Sequence, residues 1–449
     1  MTLRIGNGCG FWGDNIDAPI LLAEQGDLHY LTLEYLSELT MSILAVQKQR
    51  DAEAGYAGDF LDVLERLWPI LQNKPRLKII TNAGGMNPQA CARKARDLLQ
   101  KAGVSKRIAV VDGDDLLPRL EQLFNEDHWF SNLDTGEDLG KVLPRVVSAN
   151  AYLGAAPIVE ALQEEADIIV TGRVADASLT VAPIMHHFPC AWDDWPRLAA
   201  ATVAGHLIEC GAQATGGLWC NYQDAPDLAN AGYPIVDVEP DGTFTITKRP
   251  GSGGAVNVET IAEQLLYEVG DPAAYLTPDV SADFTSVTLH QTGPDAVRVT
   301  ATRGQPATDT YKVSIAYRDG FSASGTLTIL GPDAPQKALL CGDMIQQRLR
   351  RVNIAPEHWS VEVLGTGACV PGVLPAGRAP LEVVLRVMIR DARKAVVERF
   401  AKELAPLVTS GPPGVTGYTS GRPPVREVFA YWPALVSKSV VSPKVTLIS

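Results

Sequence analysis

Six short apolar runs alternate with stretches of helical length over the first 215 residues, and this alternation restricts the fold more than any other feature of the chain. Residues 3–7, 28–34, 77–81, 107–111, 145–148 and 168–171 read as strands. Residues 17–25, 36–71, 88–101, 116–125, 154–165 and 179–187 space their apolar side chains for a buried helix face, with a break expected at Gly55 and Gly58. Strands and helices in strict alternation give parallel strands joined by right-handed crossovers. The expected first domain, residues 1–215, is therefore α/β, a doubly wound, mostly parallel, Rossmann-like sheet. A closed barrel would need two more units.

The remainder reads differently. Residues 216–280 carry Gly216-Gly217, Gly232-Tyr233-Pro234, Pro240-Asp241-Gly242 and Pro250-Gly251-Ser252-Gly253-Gly254, the punctuation of a connecting and site-capping region. From 281 to 449, strands are expected at 286–291, 297–302, 311–317, 324–330, 359–363 and 381–389, with helices at 334–351 and 392–407. That pattern predicts a smaller α+β two-layer lobe. Its tail, from Gly411-Pro412-Pro413-Gly414 onward, holds too much proline for a central strand or helix.

The formal charge of −13 and the lack of a basic run argue against a nucleic-acid or anionic membrane partner, so an anionic small-molecule ligand would have to be held by local features such as helix N-termini. Seven scattered cysteines without a CxxC spacing suggest neither a disulfide framework nor a zinc knuckle. No apolar run is long enough to span a membrane, and the opening residues lack signal-peptide character, so a cytoplasmic location is expected. A homo-oligomer is the expected assembly.

Polar motifs recur just past the strand ends: Asn7 with Gly8-Cys9-Gly10-Phe11-Trp12-Gly13-Asp14, then Glu34, Thr81-Asn82-Ala83-Gly84-Gly85, Asp112-Gly113-Asp114, Ser148-Ala149-Asn150 and Thr171-Gly172-Arg173. Ligands bind at that edge of an open parallel sheet, where loops meet helix N-termini. Taken singly, each motif reads first as a turn and helix cap, and only their recurrence argues for a site. Gly8, Gly10 and Gly13 have dinucleotide-fingerprint spacing, but bulky Phe11 and Trp12 and the charge of Asp14 oppose a pyrophosphate. A cradle for another anion and a tight structural turn are the competing readings. Cys9 is either a nucleophile or a small buried residue.

The expected catalytic set is Glu34, Asn82, Asp112, Arg173 and Asp176, carboxylates for proton transfer with amide and guanidinium donors beside them. An Arg173–Asp176 ion pair is an equal alternative to an Arg173 clamp on substrate. Expected binding residues are Gly8, Gly10, Gly13, Asp14, Gly84, Gly85, Asn150 and Gly172, with Ser252, Gly253 and Gly254 forming a second anion seat or merely a linker. His206 and Cys210, one helical turn apart, read as either functional or packed. Asp112, Asp114 and Asp176 are a weak set of ligands for a hard divalent metal. The sequence has no HExxH, GxSxG or P-loop.

At residues 8–14, Leu36-Ser37-Glu38-Leu39-Thr40-Met41, 81–88, 148–154, 171–179, Glu209-Cys210-Gly211-Ala212-Gln213, 251–267 and 411–423 the chain resembles the acyclic terpene utilisation family. The resemblance implies catabolism of branched terpenoid acids as coenzyme A thioesters, with coenzyme A as part of the substrate. It assigns no catalytic residue. The expectation is a lyase or hydratase acting on a branched or hydroxylated acyl-CoA. The alternatives are a non-catalytic acyl-CoA-binding subunit and a hydrolase of a small polar substrate.

Overall fold

Each of the six apolar runs forms a strand: β1 Leu3–Asn7, β2 Tyr30–Leu33, β3 Lys78–Thr81, β4 Ile108–Asp112, β5 Val146–Ala151 and β6 Ile168–Thr171. Between them lie α1 Ala18–Gln25, α2 Glu38–Arg50, α3 Asp59–Asn73, α4 Pro88–Lys101, α5 Leu120–Asn125 and α6 Ala156–Gln163, followed after β6 by α7 Ser178–His187 and α8 Trp195–Glu209. The structure is a computed structural model describing residues 2–126, 130–373, 379–418 and 421–448. The break expected in the long second helical stretch falls between α2 and α3, where Gly55 takes a φ of +99° that side chains rarely adopt. Ser37 caps α2 and Asn87 caps α4, each accepting a backbone N–H of the first turn.

Five of the strands are parallel neighbours in the order β1-β2-β3-β6-β4. β2 and β6 are buried at every position, as strands covered on both faces must be. Leu31, Leu33, Ile79, Val110 and Val170 share one core with α1, α3 and α4. α6, α7 and α8 pack against one another and against the sheet. The β5 run leaves this sheet and pairs with the strand Thr310–Leu330.

The sheet is larger and more mixed than its parallel centre. Beside β1 lie antiparallel β7 (Pro234–Val238) and β8 (Phe244–Lys248), then the hairpin Thr288–Gly293 and Ala296–Thr300; Lys444–Ile448 pairs antiparallel to β4 at the other edge. The result is a mixed α/β fold with a ten-stranded sheet. In the dinucleotide-binding order the first strand sits between two parallel neighbours. Here β1 has β2 on one side and antiparallel β7 on the other, which departs from the Rossmann-like expectation.

The turn-rich region 216–280 thus supplies two strands to the sheet. Turn residues at 232–234 and 240–242 mark the ends of a short hairpin, and Pro234 is tolerated because it opens its strand. α9 (Val258–Leu266) follows, held by a capping box between Asn257 and Thr260. The proline-bearing tail likewise contains the strands Arg426–Ser437 and Lys444–Ile448, the latter an edge strand just after Pro443. Residues 419, 420 and 449 of that tail lie outside the described set.

Two compact units result, Met1–Ala316 with Tyr431–Ser449, and Tyr317–Ala430. The division falls beyond residue 281 because the hairpin and the last strand are bonded into the large sheet. In the second unit Ala338, Cys341, Ile345 and Leu349, spaced along one face of the helix Ala334–Arg351, pack with Leu385, Val387 and Ile389. Among the described residues no helix is long and apolar enough to cross a membrane.

Candidate functional site

A cavity of about 790 Å³ opens in the first unit. Its walls come from the 8–14 turn, the segment after β2, the segment after β6, the end of α8, and residues 267–278 and 308–312. Glu34, Glu38, Tyr152, Arg173, Asp176, His206, Glu209 and Lys312 line its polar part.

Glu34 follows β2 and is buried, its backbone N–H donating to the Cys9 carbonyl. Its Oε1 accepts the Leu36 N–H at 2.8 Å and an N–H of the Asn82 side chain. Asn82 Oδ1 in turn accepts the Tyr35 N–H at 2.8 Å, so Asn82 ties the end of β3 to the end of β2. Glu34 Oε2 has no hydrogen-bond partner among the described residues. Burial and the charge of Asp176 push the Glu34 carboxyl well above its ordinary value, against the opposing effect of Arg173.

Arg173 follows β6 and is 1% exposed. Its guanidinium donates to Asp176 Oδ1 at 2.5 Å and lies 4.1 Å from the Tyr152 ring centre. Lys312 approaches the same ring at 4.9 Å. The Tyr152 hydroxyl donates to Glu38 Oε1 at 2.6 Å, and Lys312 lies 3.4 Å from that oxygen. Burial alone would raise the Glu38 pKa, but Tyr152, Arg173 and Lys312 outweigh it and lower it to about 2. Glu38 is therefore a fixed anion, unlike Glu34.

His206 and Glu209 sit at the end of α8. The ring Nε2 lies 3.0 Å from the Gln264 carbonyl and Nδ1 lies 3.0 Å from Glu209 Oε1. A carbonyl only accepts, so Nε2 carries a proton, and the second proton is shared between Nδ1 and the carboxylate. Burial raises the Glu209 pKa to about 7 despite the lowering by His206. For His206 burial works the other way, yet the bond and charge of Glu209 prevail and raise its pKa. Asn7, at the end of β1, fixes this helix terminus by donating to the Ile208 and Glu209 carbonyls at 2.8 and 2.9 Å.

Of the residues expected from the sequence, Gly10, Asp14, Glu34, Arg173 and Asp176 line the cavity, as do His206 and Cys210. Asn82 acts on it through Glu34. Asp112 does not line it; its carboxylate accepts from the Gln89 side chain at 2.9 Å. Asp114 and Asn150 lie behind the wall: Asp114 Oδ2 accepts the Arg173 N–H at 2.9 Å and the Asn150 amide at 2.8 Å. Asp112, Asp114 and Asp176 are thus engaged separately, and among the described residues no group of three potential metal ligands forms. Gly172 makes room for Asp114, since a Cβ there would sit 2.3 Å from its Oδ1.

The glycine turn closes on itself. Asp14 Oδ2 accepts the Gly10 N–H at 2.8 Å, and Asp14 Oδ1 accepts the Tyr233 hydroxyl, so the amide that would cradle a phosphate already has a carboxylate. Gly8 and Gly10 are set by packing, because Cβ atoms there would meet Pro19 and the Cys210 backbone at 2.8 Å. Gly13 takes a φ of +99°. Cys9 is buried, and burial with the Asp14 charge raises its thiol pKa, the behaviour of a packed residue. Gly84 packs on Pro88 and the Thr171 carbonyl, and Gly85 has a φ of +49°. Ser252, Gly253 and Gly254 lie outside the cavity lining; Gly253 and Gly254 pack on the carbonyls of Asp227 and Thr215.

Glu38, Tyr152, Glu209 and Lys312 also line the cavity and are not among the residues expected from the sequence. The first three fall within segments that carry the family resemblance, whereas Lys312, on the strand Thr310–Leu330, had no local signal at all. The sequence model described as acyclic terpene utilisation family protein AtuA matches residues 3–447. The chain belongs to the acyclic terpene utilisation family. Comparison with curated proteins and with solved structures returns no match. In this acyclic terpene utilisation protein, membership implies a role in the use of acyclic terpenes.

Proposed function

We propose that the cavity adds water to, or removes it from, a branched acyl-CoA thioester. The observation that carries this reading is the pair of buried carboxyl groups, Glu34 and Glu209. Each has one oxygen without a partner among the described residues, both line one cavity, and both ionise above the ordinary carboxylate range. Hydration of a 2,3-enoyl thioester needs one group to take a proton from water and another to give one to C2. Two carboxyls of unequal acidity serve those roles.

In the hydration direction Glu209, ionised above about pH 7, removes a proton from water as its oxygen bonds to C3. The electron pair moves to the thioester oxygen as an enolate, stabilised by the Arg173 guanidinium. Glu34, held protonated, delivers its proton to C2, and proton exchange with solvent restores both carboxyls. His206 steadies Glu209, and Asn82 orients Glu34. This chemistry places the base at Glu209 and leaves Asp112 out.

The test is incubation with branched 2,3-enoyl-CoA thioesters in ¹⁸O-labelled water, followed by product mass. Expected is one labelled oxygen in the product, abolished in Glu34→Gln and Glu209→Gln. Thioester binding without any mass change would sink the catalytic reading and leave a binding subunit; release of free coenzyme A would indicate a hydrolase.

A further inference from the structure

Six exposed apolar side chains surround the same cavity: Phe11, Leu133, Leu218, Tyr267, Leu276 and Leu435. They come from six separate places in the sequence, so no single amphipathic element explains their convergence. Glu34, Arg173 and His206 of the same lining are buried. Exposed apolar surface gathered around a polar cavity marks a ligand-binding surface.

Leu218 is the extreme case. It is 83% exposed, the highest of the exposed large apolar residues, and it stands in the left-handed region with a φ of +60°. Such a conformation is costly for a branched side chain, on the order of 1 kcal/mol, and such positions cluster at ligand clamps. The local chain holds it there: Gly216 has a φ of +102°, the Gly217 N–H donates to the Ala212 carbonyl at 2.9 Å, and the next residue, Trp219, is buried. Glu268, also lining the cavity, has a φ of +60° as well, so two strained residues flank one opening. Leu276 is 62% exposed and Phe11 58%.

We infer that Leu218, Leu276 and Phe11 form the contact for the hydrocarbon tail of the substrate. The ligand is then amphipathic: its reactive carbons reach the carboxyl groups at the cavity floor, and its branched chain runs back across the apolar mouth. On this inference Leu218 selects chain length, touching a long acyl chain that reaches the mouth and not a short one that ends before it. The inference rests on the proposed acyl thioester substrate but not on its hydration.

Isothermal titration with saturated branched acyl-CoA thioesters of five and ten carbons separates the two, because neither ligand can be hydrated. The unchanged protein is expected to bind the ten-carbon thioester at least about tenfold more tightly, as burial of a few methylene groups requires. In Leu218→Ser that preference is expected to fall to within about threefold, with the five-carbon affinity unchanged. Leu276→Ser, on a different segment, is expected to act the same way. An equal loss for both chain lengths, a loss for neither, or no chain-length preference in the unchanged protein would overturn the inference. Labelled-oxygen incorporation is read separately, so failure of hydration chemistry leaves this result standing or falling alone.

Discussion

His206 Nδ1 lies 3.0 Å from Glu209 Oε1, one helical turn along α8, and both ring nitrogens face acceptor oxygens. The pair therefore shares one proton, and the imidazole lowers the pKa that burial has raised for Glu209. Replacing His206 by Leu should move the low-pH limb of kcat/KM, set near pH 7 by Glu209, upward by about one unit. His206→Gln, which can still donate, should restore part of the shift. A purely structural role would lower the rate at every pH and leave the limb in place.

Asp114 should make stability depend on pH. In the fold its pKa is pushed up to about 7 by burial, whereas the unfolded chain ionises near 3.8. Between those values the native state binds the extra proton, so stability declines as pH rises through the window. Asp114→Asn keeps an oxygen that can accept from Arg173 and Asn150. It should remove on the order of 3 kcal/mol of that decline, read as a flatter Tm between pH 4 and pH 8. An unaltered slope would mean that Asp114 is already ionised in the native protein.

Arg173→Lys preserves the charge but not the planar fork that spans Asp176 and the cavity. The expected loss in kcat/KM is about a hundredfold, mostly in kcat, as befits a donor acting on a developing enolate. Asp176→Asn leaves the buried guanidinium without its anion and should cost about 2 kcal/mol in urea unfolding, less than breaking a fully buried pair because Asp176 is partly exposed.

Gly172→Ala drives a methyl group against the Asp114 carboxyl, which Arg173 and Asn150 hold in place. A destabilisation of about 2 kcal/mol is expected. The double variant Gly172→Ala with Asp114→Ala should recover part of it, since the obstructing atoms are gone.

The parallel strands were legible because each holds a short apolar run bounded by turn residues, and the helix 334–351 could be read from its face. The antiparallel additions were not. β7 and β8 are five residues each and sit among Gly and Pro, where the turns that end a hairpin resemble those of an irregular linker. Strand ends pointed to Glu34, Arg173 and Asp176, which line the cavity. They also pointed to Asp112, because a residue at a strand end can aim its side chain away from the ligand edge, as Asp112 does toward Gln89. Glu209 ends a helix rather than a strand, and Lys312 arrives from a distant strand, so no local pattern announced either.

The edge strand Lys444–Ile448 closes against β4, roughly three hundred residues earlier in the chain. The whole second unit is made between the two partners. During synthesis the parallel sheet must wait with β4 open on that side, its backbone groups available to any passing strand. Folding of the first unit is therefore set by a long-range closure rather than by its local βαβ repeats, and its slowest step should be docking of this strand.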